Sequence, residues 1–159
     1  MVKIIDCFIF YNEIDILNYR LNILNDVVDY FVIVESTYTF AGHKKQLFFL
    51  ENKHLFDRFK EKIIHVIVYD IPYKYPHINY INNEQWKNEF FQRNSISHGL
   101  EKLELEDDDI IMITDADEIP DPNTLNIIKQ NKISIDIFCL EMDYYYYNLH
   151  NRFDNKWIK

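Results

Sequence analysis

Glycine is almost absent, with 2 residues in a chain of 159. Loops that cradle phosphate with backbone amides need several, so neither a Gly-x-x-x-x-Gly-Lys-Ser/Thr loop nor a Gly-x-Gly-x-x-Gly turn is present. A phosphate-bearing ligand would have to be held by a metal ion, by cationic side chains or by a helix N-terminus. Cysteine is equally sparse. Cys7 and Cys139 both sit in apolar, strand-like runs, which excludes a disulfide scaffold and reads as two buried, reduced thiols. An excess of basic charge is missing too. The net charge of −9 excludes a general nucleic-acid binder and suits a protein that meets anionic ligands through a cation. The chain has no apolar run of 18 residues, no basic segment leading into an apolar one at its start, and no Asn-x-Ser/Thr sequon. As it stands it is expected to be soluble and cytoplasmic, without a membrane segment.

What is present is a core. At 48% hydrophobic residues disorder is excluded, and the length suits one domain over 1–159. The organising stretch is Ile110 to Pro122. Ile110 to Thr114 reads as a strand buried on both faces. Three acids follow, Asp115, Asp117 and Glu118, and then Pro120 and Pro122, with Asp121 placed to cap a helix that begins at Pro122. Asp115 and Asp117, two apart in an extended segment, point the same way and can share a hard divalent cation. An EF-hand starting at Asp115 is excluded, because its glycine position is Pro120 and its closing glutamate position is Asn126. A haloacid-dehalogenase-type Asp-x-Asp-x-Thr is excluded by Ile119 and by the position of the strand in the chain.

The rest of the chain supplies strands and helices in alternation. Residues 3–10 read as a first strand, followed by a helix carrying Ile14, Leu17, Leu21 and Leu24, with Asn12 as its cap. Asn12 and Glu13 then stand at a strand's C-terminal edge, where open α/β sheets bind ligands. Residues 30–36 form a second strand ending near Glu35, residues 54–60 a short helix, residues 63–69 a third strand, and 70–83 a long irregular loop. The longest helix is expected over 84–105, with Trp86, Phe90, Ile96, Leu100 and Leu103 on its inner face. Arg93 falls in the middle of that face and must meet an anion there, either a protein carboxylate among 115–118 or a ligand. Asp107 to Asp109 reads as a solvated acidic run. A helix over 122–130 and a strand over 135–140 complete the pattern, with Glu141 and Asp143 beyond that strand. This alternation predicts a three-layer α/β/α sandwich with a mainly parallel sheet.

Four blocks, in order, resemble glycosyltransferase family 17, the β-1,4-mannosyl-glycoprotein β-1,4-N-acetylglucosaminyltransferase family. They are Phe10 to Leu17 with Arg20-Leu21, Val28 to Ser36 with Tyr38-Thr39-Phe40, Glu89 to Asn94, and Asp108 to Pro120. The resemblance implies a GT-A fold, a UDP-N-acetylglucosamine donor, a glycan or glycoprotein acceptor, a divalent metal (Mn²⁺ or Mg²⁺) and inversion at the sugar carbon. By the same resemblance Asp115 and Asp117 are the Asp-x-Asp pair, with Asp117 the direct metal ligand. Asn12, Glu13 and Glu35 line the nucleotide site, and Arg93 lies near the donor. Two departures stand out: animal members carry an N-terminal anchor, and members continue past the position of Lys159, where acceptor contacts and the general base usually lie. Glu141 and Asp143 are the visible candidates for that base. Two other readings remain open, a non-catalytic nucleotide-sugar-binding module or remnant needing a partner, and a metal-dependent phosphohydrolase of nucleotide diphosphates.

Overall fold

The computed structural model describes residues 2–131, 137–146 and 150–158. The chain divides into two compact units, Met1–Ile119 and Pro120–Lys159, with the division falling at the proline pair.

The first unit is built on four strands, β1 (Ile4–Phe10), β2 (Tyr30–Ser36), β3 (Ile63–Val68) and β4 (Ile110–Asp115). All pair in parallel, in the order β3-β2-β1-β4. β1 and β2 are apolar on both faces and buried, which suits the two middle positions. β4 pairs only with β1 among the described residues. Its Ile111 and Ile113 are 43% and 49% exposed, so the expectation of a strand buried on both sides fails. Helix α1 (Ile14–Leu24) connects β1 to β2, and the short α2 (Phe48–Asn52) with a 3₁₀ segment (Lys53–Phe59) connects β2 to β3. On this side Phe8, Phe10, Phe31 and Ile33 meet Leu17, Leu21, Phe49 and Phe56 in the core. The opposite face, Ile5, Cys7, Val32, Val34, Val66 and Val68, packs on Ile96 and Leu100. The unit is therefore a three-layer α/β/α sandwich with a parallel sheet, consistent with a GT-A-like domain.

The helix expected over 84–105 is two helices, α3 (Glu84–Asn94) and α4 (Ser97–Leu100). At the break the Ser95 hydroxyl donates to the Phe91 carbonyl at 3.0 Å, a back-bond that competes with helical pairing and bends the chain. The buried face of α3 is also not the one expected. Trp86 and Phe90 are exposed, whereas Asn88 and Gln92 are buried. The Asn88 amide donates to the Phe40 and Tyr73 carbonyls and accepts from the Tyr73 amide, and Gln92 donates to the Val34 carbonyl. Backbone carbonyls beneath the helix, in the loops for Asn88 and in β2 for Gln92, need polar partners, and that need outweighs the apolar periodicity.

Other expectations shift locally. Asn12 does not cap α1. Instead the Glu13 carboxylate turns back and accepts the amides of Tyr11 and Asn12, at 3.1 and 3.0 Å. Asp109 is not solvated. It accepts the Lys3 amide and ammonium and the Glu106 amide, joining the start of β1 to the start of β4.

In the second unit α5 (Pro122–Asn131) starts where expected, and Asp121 accepts the Thr124 amide at 3.0 Å as its cap. The strand expected over 135–140 lies partly outside the described residues, and 137–140 has no regular structure. An antiparallel pair follows, β5 (Glu141–Tyr145) with β6 (Arg152–Ile158). Cys7 is buried as expected, but Cys139 is exposed, because its apolar run is not the predicted strand.

Candidate functional site

From β1 the chain moves outward to β2 and β3, then returns through α3 and α4 to place β4 on the other side of β1. The strand order therefore reverses between β1 and β4, and a crevice opens beyond their C-terminal ends. A cavity of about 670 Å³ lies there, within the size range of small-molecule sites. Its walls are largely aromatic and aliphatic, from Tyr11, Ile16, Tyr38 and Phe40, and its charged groups are Glu13, Lys45, Glu89, Arg93, Asp115 and Asp117.

Asp115 is the last residue of β4 and sits in register beside Ile9 of β1. The turn after it closes by the Glu118 amide donating to the Asp115 carbonyl at 3.0 Å, while the Glu118 carboxylate accepts the Asp115 amide at 2.8 Å. Arg93, on α3, bonds the Asp115 carboxylate at 2.7 Å and Glu89 at 2.9 Å. Burial alone would lower the guanidinium pKa, but the bonds to Asp115 and Glu89 prevail and raise it, so the cation is permanent. The two fates open to Arg93 thus meet in one place, since it is paired with an acid of 115–118 and also lines the cavity. Asp117 is exposed and makes no hydrogen bond or ion pair with the described residues.

Could this set hold a metal? Among the described residues no three His, Cys, Asp or Glu side chains are grouped to hold one alone. A hard cation beside a phosphate ligand ordinarily takes only one or two carboxylates and completes its shell with phosphate oxygens and water. Asp117 and Asp115, hard oxygen donors on one cavity wall, fit that requirement.

The remaining candidates fare differently. Glu13 lines the cavity, whereas Asn12 and Glu35 do not. Glu35 is fully buried at the end of β2. It accepts the amides of Phe49 and Leu50 at the start of α2, and it lies 3.3 Å from His65 Nε2 and 3.8 Å from Lys45 Nζ. Glu141 and Asp143 stand on β5 in the second unit. There Lys156 and Arg152 pair with Asp143, and the Lys156 bond holds its carboxyl below the usual range.

Sequence reading overlooked Lys45 and Glu89. Lys45 reaches the cavity between Tyr11 and Phe48, 5.2 and 5.5 Å from their ring centres. Burial lowers its pKa, against the opposing pull of Glu35 and Glu13. Nothing in the local sequence marks it, because its loop is set by the fold. Glu89 could have been found as the residue one turn before Arg93.

Acids and cations of an α/β domain that converge at its topological switch point stand where open α/β sheets place their ligand sites. The profile of glycosyltransferase family 17 matches residues 1–158, and the chain belongs to that family. The chain is 32% identical over 111 residues to the human protein named beta-1,4-mannosyl-glycoprotein 4-beta-N-acetylglucosaminyltransferase, covering 69% of this chain and 20% of that one. The rat and mouse proteins of the same name match at 32% and 31% over equal spans. The chain thus aligns with about a fifth of the length of these curated relatives. No solved structure matches it. Among the described residues no helix is long and apolar enough to cross a membrane.

Proposed function

We propose that this chain binds a UDP-sugar, UDP-N-acetylglucosamine, together with Mn²⁺ or Mg²⁺, and transfers the sugar with inversion to a hydroxyl of a glycan acceptor. The observation that carries this reading is the meeting of Asp115, Asp117 and Arg93 in one cavity at the switch point. Asp117 is the proposed direct ligand, and Asp115 assists while tethered to Arg93. The cation supplies charge neutralisation for the leaving diphosphate. Arg93 and Lys45, both lining the cavity, add positive charge. Tyr11, Tyr38 and Phe40 offer apolar faces that exclude water and take up a base or a sugar ring. The candidates for removing the acceptor proton are Glu141 and Asp143, the basicity of Asp143 being lowered by its bond from Lys156.

One second reading is a donor-binding module without turnover of its own. Calorimetry with UDP and Mn²⁺, run beside a transfer assay with UDP-N-acetylglucosamine and a mannosyl glycan, separates the possibilities. Binding with transfer supports the enzyme, binding alone supports the module, and sugar-nucleotide breakdown without acceptor supports a phosphohydrolase. Asp117→Ala is expected to weaken Mn²⁺-dependent UDP binding by at least about tenfold, a loss that removal of even an outer-shell partner can produce. Unchanged affinity in that variant would refute the metal assignment.

A further inference from the structure

The charged pair deepest in the first unit is not in the cavity. Arg20, on the inner face of α1, and Asp6, in the middle of β1, are both fully buried. The guanidinium lies over the Phe8 ring, 4.6 Å from its centre. A buried ion pair needs strong geometry to offset the desolvation of two charges, and here the fork is bidentate: Nε to Oδ2 at 2.8 Å and Nη2 to Oδ1 at 2.6 Å. That pairing satisfies Asp6, but it uses only part of the donor set of Arg20. Nη2 also donates to the Thr114 hydroxyl at 2.6 Å. Nη1 donates to three backbone carbonyls, of Asp115 at 2.9 Å, Ala116 at 3.2 Å and Glu118 at 2.9 Å.

These three carbonyls belong to the turn that carries Asp115 and Asp117. A core ion pair alone requires no such contact. Drawing the carbonyls inward onto one nitrogen fixes the backbone of the turn, whose Asp115 and Asp117 line the cavity. The anchor is itself rigid, because Asp6 is held by ladder pairing on both sides, beside Phe31 and Met112.

We propose that Arg20 is a positioning residue for the Asp115–Asp117 turn, setting the geometry in which its carboxylates take a cation with a diphosphate. The inference rests on the donor-binding reading above. Lysine cannot replace the fork, since its three donors radiate from one nitrogen and cannot span a carboxylate, a hydroxyl and three carbonyls together.

The test is calorimetry of UDP binding in the presence of Mn²⁺ on the full chain, with melting temperature measured beside it. In Arg20→Lys the dissociation constant is expected to rise roughly 10–100-fold, the range for loss of a group that orients metal ligands. A purely structural role would lower the melting temperature and leave affinity, measured well below that temperature, as in the wild type. Should Arg20→Lys fail to fold, Thr114→Val removes the hydroxyl seat of Nη2 at nearly constant volume and leaves the Asp6 pair in place. It is expected to weaken binding in the same direction, by less. Wild-type affinity in either folded variant overturns the positioning role. Failure of the wild type itself to bind UDP with Mn²⁺ overturns the donor-binding reading, and this inference with it.

Discussion

Asp109 shows how much one carboxylate can join. Its side chain is 2% exposed and accepts two backbone amides and the Lys3 ammonium. Burial would raise its pKa, but the bonds from Glu106 and Lys3 outweigh it, so the carboxyl sits below its ordinary value. Asp109→Ala should cost about 1–3 kcal/mol at neutral pH, because two backbone amides lose a charged acceptor. A folded-state pKa below the unfolded one means that this stabilisation is complete above about pH 4 and fades as pH falls through the lowered value. Urea titrations of wild type and variant should therefore converge in acid. A constant gap down to pH 2 would contradict the assignment. At this scale the sequence was informative where charge patterns were local. The placing of Asp115 and Asp117 at a strand's end, the helix cap at Asp121 and the need of Arg93 for an anion were all legible. Asp6 and Arg20 were legible in principle, as opposite charges inside apolar strand and helix patterns, but neither marks the other until the fold brings them together. Lys45 carried no signal.

Among the elements, the four parallel strands were legible because they are near-continuous apolar runs with clear ends, whereas β5 and β6, polar and exposed, were not. The bounds of β2 are those expected, and β1, β3 and β4 differ by single residues. The helix after β3 departs from the expectation because periodicity counts apolar residues, while α3 is fastened by Asn88 to loop backbone and by Gln92 to the backbone of β2. The site gains from this arrangement. With those amides beneath, Glu89 and Arg93 are carried to the cavity wall. The α4 contact with the sheet depends on Gly99. A Cβ built there would stand 2.4 Å from Val32 Cγ1 and 3.2 Å from Val66 Cγ2. Gly99→Ala is expected to destabilise by about 1–3 kcal/mol through overpacking, and combining it with Val32→Ala should recover part of that loss. Simple additivity of the two changes, measured by chemical denaturation, would mean that helix and sheet do not meet there as described. The other glycine, Gly42, has φ +83° and faces the Tyr75 amide, so both of the chain's few glycines stand where a side chain would not fit.

For the molecule as a whole, the decisive feature is topological. Residues as distant in sequence as Glu13, Lys45, Arg93 and Asp117 meet because the sheet reverses its order between β1 and β4. No local pattern could assemble that set, although the alternation of elements predicted the kind of sheet that does. Glycine scarcity then acquires a consequence. With no phosphate loop available, a protein of net charge −9 would need a cation and a few fixed guanidinium or ammonium groups to receive a diphosphate. Lys45 and Arg93, which line the cavity, are proposed to serve the second purpose, and the Asp115–Asp117 turn the first.

The most direct measurement is a crystal of this chain soaked with manganese and UDP, with the metal located by anomalous scattering. The account predicts a single manganese peak about 2.0–2.6 Å from an Asp117 carboxylate oxygen, with diphosphate oxygens completing its shell. Manganese bound away from the Asp115–Asp117 turn, or UDP seated outside the crevice between β1 and β4, would contradict it.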